Sequence, residues 1–269
     1  MTTPAYAVSA DTTLPARRRS ELIRLARLRG QVTVTELAPF FDVSPDTIRR
    51  DLDYLASRGL VVRTHGGAMP VDSYVNSGVP FAQRVNTRTD AKTRIGRAAA
   101  GMIADGETLI VNGGSTTRAF VGELGMRRNL TIVTNNLGIP TAVPPQALRD
   151  IYILGGQLRP DALVTIGAVG FAKTGPINVD TSVLGVGGVA ASAGLTTTML
   201  EEASMIADMI AAARRTIIMA DSTKFGHSAF AHIAPLDRIH MLVTDAPPPP
   251  DLAEALERAG VELVVAGAD

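Results

Sequence analysis

The chain has 269 residues, of which 46% are hydrophobic, and its 26 basic and 26 acidic side chains leave no net charge. It contains no cysteine, which excludes disulfides, thiolate metal sites and cysteine nucleophiles. No apolar stretch approaches the roughly 20 residues that a membrane-spanning helix needs, and the N-terminus has no apolar core ahead of its basic cluster. We therefore expect a cytoplasmic protein of two domains with no membrane partner.

The neutral total hides an uneven distribution of charge. Residues 17–65 contain ten arginines and six acidic side chains, about +4, so the rest of the chain carries about −4. A basic segment of this size needs only a few phosphate contacts to gain affinity for nucleic acid. Because a solvated basic surface has the same composition, charge alone leaves the partner open.

Three helices are predicted in this basic segment. The first spans residues 18–29, on a helix-period stripe of apolar residues that ends before a glycine. Thr33 and Glu36 have the spacing of a capping box for a short second helix that ends near Phe41. Pro39 lies inside this second helix, where its missing N–H should bend the last turn.

The third helix begins with a strong start signal, a Ser44 N-cap followed by Pro45, whose missing N–H costs nothing at the first helical position. Its inward face is predicted to consist of Ile48, Leu52 and Leu55. Its outward face is predicted to consist of Pro45, Asp46, Thr47, Arg49, Arg50 and Asp53. Residues 59–67, GLVVRTHGG, then form two extended segments around a basic turn. This order predicts a winged helix-turn-helix, whose third helix places its first turns against base edges.

The neighbouring arginines Arg49 and Arg50 also have a simpler interpretation. Arginines on an amphipathic helix are usually a solvated surface, and a three-helix bundle can bind another protein instead of DNA. The helix alone leaves these alternatives open. The Ser-Pro start, the arginine pair and a basic wing with Arg63 and His65 together favour DNA.

The segment RRSELIRLARLRGQVTVTELAPFFDVSPDTIRRDLDYLASRGLVVRTHGGAM closely resembles the N-terminal domain of the DeoR family of bacterial transcription regulators. The family's T-I-R-R-D-L helix and G-L-V-x-R-x-H-G-G wing are both unbroken here. Pro39 is unusual for this pattern. The resemblance implies a double-stranded DNA operator as partner. It assigns DNA contacts to Ser44, Thr47, Arg49, Arg50, Arg63 and His65.

Beyond a linker at residues 68–90, extended apolar segments alternate with helical ones. The predicted strands are ETLIVN, LTIVTN, DIYILGG, TSVLGVGG, RTIIMAD, IHMLVTD and VELVVAG. Helical patterns cover residues 92–104, 115–124, 200–213 and 251–259. Such alternation predicts an α/β domain over residues 91–269, a mostly parallel sheet covered by helices on both faces. The separate winged helix-turn-helix domain takes residues 17–67.

Several predicted strands end in glycine or polar residues, at the edge where open α/β sheets bind ligands. One such end is followed by Ser115, Thr116 and Thr117, where a helix N-terminus would favour an anion. Arg159 and Lys224 add positive charge. Since the loop lacks the lysine of a P-loop and no G-x-G-x-x-G has a suitable context, a small anionic ligand is expected in preference to a nucleotide.

The resemblance to the DeoR family continues to about Asp245, through residues 92–117, GLTTT at 194–198 and DSTKFG at 221–226. The family's sensor domain is related in fold to ribose-5-phosphate isomerase and CoA transferases, and typically binds a phosphorylated sugar, with no other cofactor. The resemblance implies effector contacts at Asn112, Ser115, Thr116, Thr117, Asn135, Gly156, Arg159, Gly187, Thr196, Thr197 and Lys224. Asn112 replaces a common aspartate and Gly187 a common polar residue, which leaves the identity of the sugar open.

Two other classes of function are alternatives, an isomerase-like enzyme and a protein-interaction module. The enzyme's general base would have to come from Glu201, Glu202, Asp221 or Lys224, and the acidic ones also fit plain roles at a helix start or a turn. The four histidines form no metal-ligand pattern. We therefore expect neither catalysis nor a metal.

The hypothesis that results is a repressor of sugar or carbon metabolism genes that acts as a homodimer or homotetramer. Two recognition helices would enter adjacent major grooves, with Arg49 on a guanine edge and Arg50 on a phosphate. Effector binding would misalign the two helices. By thermodynamic linkage, operator DNA would then weaken effector binding by the same factor.

Overall fold

The structure, a computed structural model, contains two separate units, residues 1–78 and residues 79–269. It describes residues 15–29, 32–58, 60–64, 66–70, 88–160, 162–171 and 175–267. Outside the described residues lie Gly30, which follows the first predicted helix, Gly59 at the start of the predicted wing, the predicted DNA contact His65 and residues 71–87 of the predicted linker. Within the described ranges, every helix is too short or too polar to cross a membrane.

The N-terminal unit consists of three helices and a small sheet. The helices are α1 (Pro15–Arg29), α2 (Val34–Phe41) and α3 (Pro45–Ser57). The strands are β1 (Val32–Thr33), β2 (Val61–Thr64) and β3 (Gly67–Pro70). β3 lies between β1 and β2 and is antiparallel to both. The predicted winged helix-turn-helix is confirmed, and β1 is an additional strand.

Strand β3 continues to Pro70, into the stretch predicted as linker. The reason is pairing on both sides, since Ala68 stands opposite Val32 of β1 and Arg63 of β2. Val32 and Ala68 are both buried in the core of the unit. Gly67 permits this approach, because a Cβ on it would lie 2.0 Å from the carbonyl oxygen of Val32. The strands of the wing therefore contribute buried residues to the core of the N-terminal unit.

The capping signals in the sequence form the hydrogen bonds expected of them. At the start of α2, the amide of Glu36 donates to Thr33 Oγ1 at 3.3 Å, and the amide of Thr33 donates to Glu36 Oε2 at 3.0 Å. The helix continues past Pro39 and ends at Asp42, whose φ of 52° is left-handed. α3 starts directly after the Ser44 cap, as predicted.

The C-terminal unit is built on a seven-stranded parallel sheet. Its strands are β4 (Thr108–Val111), β5 (Leu130–Thr134), β6 (Leu148–Ile153), β11 (Val179–Gly185), β14 (Ala213–Met219), β16 (Met241–Thr244) and β17 (Glu262–Val265). They lie in the order β17-β16-β14-β11-β4-β5-β6, and every neighbouring pair is parallel. Each one overlaps a predicted strand, so the predicted sheet is confirmed.

Four helices cover this sheet. They are α4 (Thr89–Gly101), α5 (Ser115–Gly122), α6 (Leu200–Ala211) and α7 (Pro250–Arg258). Successive residues of a strand point to opposite faces, and neighbours in β4 belong to different cores. Ile110 packs in a core with Met209 of α6 and Leu256 of α7, whereas Leu109 packs in a core with Phe120 of α5. The predicted helical cover on both faces is confirmed.

Antiparallel strands form further, smaller sheets in the C-terminal unit. A second sheet has the order β12 (Gly188–Ala190), β13 (Gly194–Thr197) and β15 (Ala231–Ala234). Two hairpins are β7 (Gln157–Arg159) with β8 (Val164–Ile166), and β9 (Gly170–Phe171) with β10 (Gly175–Pro176).

The strand predicted over residues 181–188 is confirmed as far as Gly185, where β11 ends, but its predicted end is wrong, because Gly188 already belongs to β12 in a different sheet. The chain leaves the parallel sheet after Gly185 to approach β13. Gly187 allows that approach, since a Cβ on it would lie 3.0 Å from the carbonyl oxygen of Thr196.

Candidate functional site

The outward face of α3 carries both acidic and basic side chains. Asp46, Arg49, Arg50 and Asp53 are exposed, whereas Ile48, Leu52 and Leu55 are buried, as predicted. Arg49 Nη1 lies 2.5 Å from Asp46 Oδ1, an ion pair between residues three apart. None of the ion pairs among the described residues includes Arg50. Arg50 can therefore meet a phosphate without first losing a carboxylate.

Ser44 and Thr47 bond to each other in the first turn of α3. Ser44 Oγ accepts from the amide of Thr47 at 3.2 Å, and the two side-chain oxygens are 2.9 Å apart. Ser44 is exposed and Thr47 half-buried. Because only one hydroxyl proton is used between them, the other remains available to a partner.

Asp51 holds α3 against α1, on the side away from the exposed arginines. Its carboxylate lies 2.5 Å from Arg18 Nε and 2.7 Å from Arg19 Nε, and Asp51 is only 2% exposed. Both arginines were counted in the basic charge of this segment, yet they point to the interior carboxylate. The sequence contained a signal for this cluster of Asp51 with Arg18 and Arg19. Asp51 falls on the apolar stripe of α3, where a buried carboxylate requires a basic partner.

The wing is attached to α3 through Arg63. Its Nε lies 2.9 Å from Asp53 Oδ1 on α3, and its Nη1 donates to the carbonyl oxygen of Gly67 at 2.9 Å. The Arg63 side chain is 33% exposed, so part of the guanidinium still faces solvent. The predicted wing cation therefore also joins the wing to the third helix.

At the carboxyl edge of the parallel sheet, Asn112 joins two neighbouring strands. Its Nδ2 donates to the carbonyl oxygen of Gly185 at 2.8 Å, and the amide of Gly185 donates back to Asn112 Oδ1 at 2.8 Å. Asn112 is 2% exposed. The side chain therefore fixes the ends of β4 and β11 relative to each other.

Asn135 has a similar role at the end of β5. Its Oδ1 accepts from the amide of Gly113 at 3.1 Å, and its Nδ2 donates to the carbonyl oxygen of Thr165 at 2.8 Å. The next residue, Asn136, was not among the predicted site residues. Its Oδ1 accepts from the amide of Gly138 at 2.7 Å, but its buried Nδ2 has no hydrogen-bond acceptor in the part of the chain that the structure describes.

Helix α5 begins at Ser115, directly after a turn at Gly113 and Gly114. Gly114 supplies no side-chain cap, and the first amides of any helix have no acceptor within the helix. Ser115 is half-buried, whereas Thr116 and Thr117 are buried. Because a helix N-terminus carries partial positive charge, this turn suits an anionic group.

The β7–β8 hairpin covers that turn. Val164 Cγ1 lies 2.1 Å from the position of a Cβ on Gly113, and Val164 pairs with Arg159 across the hairpin. The hairpin therefore carries Arg159, which is half-buried, on the element that covers the start of α5. Gly156 has φ 143°, and a Cβ on it would lie 2.2 Å from the carbonyl oxygen of Ile166. The glycine is required for this close approach of backbone.

Gly187, Thr196 and Thr197 form a second group, around β13. The amide of Gly187 donates to the carbonyl oxygen of Thr196 at 2.9 Å, and Thr196 Oγ1 accepts from the amide of Ala229 at 2.9 Å. Thr197 Oγ1 donates to the carboxylate of Glu202 on α6. Both threonine side chains are thus buried and bonded within the unit.

Lys224 ends a short 3-10 turn, Ser222–Lys224, that follows β14. The turn starts at Asp221, whose Oδ1 accepts from the amide of Thr223 at 3.0 Å. Burial lowers the pKa of His227, and the positive charge of Lys224 lowers it further. The charge of the half-buried lysine therefore acts on His227.

Two buried carboxylates at the same edge share the guanidinium of Arg88. Nη2 of Arg88 donates to Asp245 Oδ2 at 2.7 Å, and Nη1 lies 3.6 Å from Asp221 Oδ1. Asp245 Oδ1 also accepts from the amide of Ser222 at 2.6 Å. Sequence reasoning placed Arg88 in the linker and missed this cluster, because no local pattern joins residues so distant along the chain.

The predicted effector residues therefore fall into three groups at the ends of strands. One surrounds Gly113 and includes Asn112, Asn135, the start of α5 and the hairpin with Gly156 and Arg159. The second consists of Gly187, Thr196 and Thr197, and the third of Lys224 and its turn. Within the described ranges, no group of three or more histidine, aspartate or glutamate side chains could hold a metal ion.

Comparisons with known proteins agree with this architecture. The chain matches the DeoR-like helix-turn-helix domain over residues 18–74 and the DeoR C terminal sensor domain over residues 87–246. It is similar to the glycerol-3-phosphate regulon repressor of Escherichia coli (strain K12), with 33% identity over 246 residues, which are 91% of this chain and 97% of the relative. It is also similar to the HTH-type transcriptional repressor GlcR of Bacillus subtilis (strain 168), with 30% identity over 250 residues, 92% of this chain and 95% of the relative.

Among solved structures, ribose 5-phosphate isomerase A of Methanocaldococcus jannaschii aligns with 52% of this chain and 55% of its own, at 15% identity and a TM-score of 0.35. The two domain matches follow each other along the chain in the order of the two units. These two domain matches and the similarity to relatives over more than nine tenths of their length establish the family of this chain. The chain belongs to the DeoR family of DNA-binding transcription regulators.

Proposed function

We propose that this regulator represses genes of sugar or carbon metabolism and that a phosphorylated sugar releases it from its operator. The observation that carries the proposal is the N-terminus of α5, which has no side-chain cap and lies at the carboxyl edge of the sheet, where it would stabilise an anionic group. A relative named for the glycerol-3-phosphate regulon supports a phosphorylated ligand. We place the protein in the cytoplasm, together with its operator.

On the DNA side, we assign contacts to Ser44, Thr47, Arg49, Arg50, Arg63 and His65. A homodimer or homotetramer would present two copies of α3 to half-sites one helical turn apart. The exposed positions of Arg49 and Arg50 support this assignment, since both lie in the first two turns of α3.

Arg49→Ala and Arg50→Ala should weaken DNA binding in different ways. Arg49 in contact with a guanine edge contributes about 1–3 kcal/mol, so its loss should weaken operator binding about 5- to 150-fold and random-duplex binding little. Loss of a phosphate contact at Arg50 should weaken all sequences alike and reduce the slope of log K against log salt by about 1. Anisotropy titrations on both duplexes at several salt concentrations measure these quantities. The opposite pattern would exchange the two roles.

On the sensor side, we propose two kinds of effector residue. Ser115, Thr116, Thr117, Arg159 and Lys224 would meet the anion, because they combine a helix N-terminus with two positive charges. The other predicted effector residues would form the walls of the site, because their hydrogen bonds and close contacts fix the backbone that surrounds it. These are Asn112, Asn135, Gly156, Gly187, Thr196 and Thr197.

We further propose that the sensor site carries out no catalysis. A general base must have its carboxylate within reach of the proton that it removes. Asp221 already accepts from Thr223 and faces Arg88, and the carboxylate of Glu202 already accepts from Thr197. These occupied carboxylates support a regulator over an isomerase.

His227 offers a probe of the sensor site. An anion bound next to Lys224 would offset the charge of the lysine, so the pKa of His227, lowered by burial and by Lys224, should rise when the ligand binds. An NMR titration of the His227 ring with and without glycerol 3-phosphate measures the shift. In Lys224→Met the ligand should no longer move this pKa. A ligand that binds the wild-type protein without moving it would be located away from Lys224.

The experiment that tests the function is fluorescence anisotropy with duplexes tiled across the protein's own upstream region, at fixed near-physiological salt. Each tile is titrated alone and with sugar phosphates from glycerol 3-phosphate to hexose phosphates. A repressor should bind one tile selectively, and one sugar phosphate should weaken that binding. Lys224→Ala should retain operator binding and lose most of the ligand response.

Other outcomes of the same experiment identify the alternatives. Equal weak binding to all tiles without any ligand effect contradicts the repressor. Turnover of a sugar phosphate in the same sample would favour the isomerase-like enzyme. Neither DNA binding nor turnover would favour the protein-interaction module.

A further inference from the structure

Arg63, one of the residues assigned to DNA, is held by two groups from different elements. Its Nε meets Asp53 of α3 at 2.9 Å, and its Nη1 donates to the carbonyl oxygen of Gly67 at 2.9 Å. A guanidinium presents its donors in a fixed planar fork, so two directed contacts determine its orientation. Arg63 therefore joins α3, β2 and β3 in one arrangement.

The presence of Asp53 on this surface needs an explanation. Its side chain is 63% exposed, and it shares the outward face of α3 with Arg49 and Arg50. A carboxylate that approaches phosphates repels them and lowers DNA affinity. Its ion pair with Arg63 is partly exposed, and such pairs contribute little to folding stability. Neither DNA attraction nor stability accounts for an aspartate at this position.

We propose that Asp53 is a positioning residue of the DNA-binding surface, which sets the wing relative to the recognition helix by orienting Arg63. The proposal rests on the proposed contact between the wing and DNA. With Asp53 present, the Arg63 guanidinium stays at a fixed distance from Arg49 and Arg50 of α3. The phosphates of a DNA duplex are also fixed in their spacing, so cations held in this way can match them without rearrangement. Without the Asp53 carboxylate, Arg63 retains only its bond to Gly67, so the rest of its ordering has to occur during binding, which weakens the complex.

The sign of one effect separates this role from simple repulsion. If Asp53 acts only through its charge, Asp53→Asn should tighten binding to every duplex. If Asp53 positions Arg63, Asp53→Asn should instead weaken operator binding about 3- to 10-fold, the loss expected from ordering one long side chain on binding. Asp53→Glu, which retains the carboxylate on a longer arm, should recover part of the affinity.

Asp42→Asn is the matched control for the loss of charge. Asp42 is exposed at the end of α2, one turn from α3, and none of the ion pairs of the described residues includes it. Asparagine tolerates its left-handed backbone, so the variant removes the same charge without strain. It should bind DNA slightly more tightly than the wild type.

The test is a double-mutant cycle of Asp53→Asn and Arg63→Gln in the full-length protein, measured by anisotropy on the operator tile and on a random duplex of equal length. Thermal unfolding checks that each variant is folded. Weakening by Asp53→Asn that disappears in the Arg63→Gln background supports the proposal. Tightening as large as that of Asp42→Asn in both backgrounds overturns it.

The same titrations separate this proposal from the proposed function. A wild-type protein that binds none of the duplexes contradicts both. A wild-type protein that binds its operator, with an Asp53→Asn variant that binds more tightly, contradicts only the positioning role.

Discussion

Asp51→Ala should disrupt DNA binding by strongly destabilising the N-terminal unit, while the sensor unit stays folded. The carboxylate holds Arg18 and Arg19, and the Arg18 side chain is only 6% exposed. Removing one partner of a buried ion pair typically costs about 3–5 kcal/mol, because the other charge stays buried after its counter-charge is lost. At about 0.05–0.15 kcal/mol per residue, a unit of 78 residues has about 4–12 kcal/mol of stability, so the substitution removes a large part of it.

Calorimetry and operator binding measure this effect together. One unfolding transition should disappear or move to low temperature, the other should stay in place, and anisotropy should show no operator complex. Glu21→Ala is the matched control, because Glu21 pairs with Arg24 at 2.6 Å in the same unit, but with an arginine that is 60% exposed. That variant should lose less than about 1 kcal/mol. An Asp51→Ala protein with normal melting and DNA binding would show that other contacts hold α1 on α3.

Arg88→Gln should destabilise the sensor unit by about 2 kcal/mol and lower its melting temperature by about 5 °C. The side chains of Asp221 and Asp245 are 7% and 5% exposed, and both face this guanidinium. The expected loss is smaller than for a fully buried pair, because Arg88 itself is 41% exposed and water can partly replace it. The DNA-binding unit should melt as in the wild type.

Two further variants locate the cause of this effect. Arg88→Lys retains the positive charge and should recover part of the stability. Arg97→Gln removes a half-exposed arginine of α4, the helix that begins directly after Arg88; Arg97 is paired with Glu123 at 3.2 Å, and its loss should cost less than about 1 kcal/mol. If Arg88→Gln melts like the wild type, the donors of Ser222 and Thr223 alone are sufficient for the two carboxylates.

The parts of the fold that could be predicted depend on local chemistry. The Ser44–Pro45 start of α3 and the Thr33–Glu36 box need only residues within one turn, and each of the seven strands of the parallel sheet contains neighbouring apolar residues. Strand β1 was missed because two residues have no periodic pattern and pair with β3 far along the chain. The antiparallel sheet was missed for the same reason, since its strands are short and β12 and β13 contain glycine.

For the candidate site, the positions of the polar residues in the sheet could be predicted from the sequence, but their hydrogen-bond partners could not. Asn112 and Asn135 lie at the carboxyl edge of the sheet, as their places at strand ends indicate. Their partners, Gly185 and Thr165, come from distant segments that no local pattern connects to them. Whether either asparagine also meets an effector stays a prediction. For Asp51 the bonding was predictable instead, because a carboxylate on the apolar stripe of a helix requires a buried basic partner. The sequence does not say which residue that partner is.

The two units also differ in how far apart along the chain their paired strands lie. The strand pairs that the structure describes in the N-terminal unit fall between residues 32 and 70, whereas β11 pairs with β4 through Thr181 and Leu109. Distant pairings form more slowly, because closing a long loop costs entropy before any contact is gained. During synthesis from the N-terminus, the winged unit is complete while the outer strand β17 has yet to be made. A newly made chain is therefore expected to acquire its DNA-binding surface before it acquires a sensor.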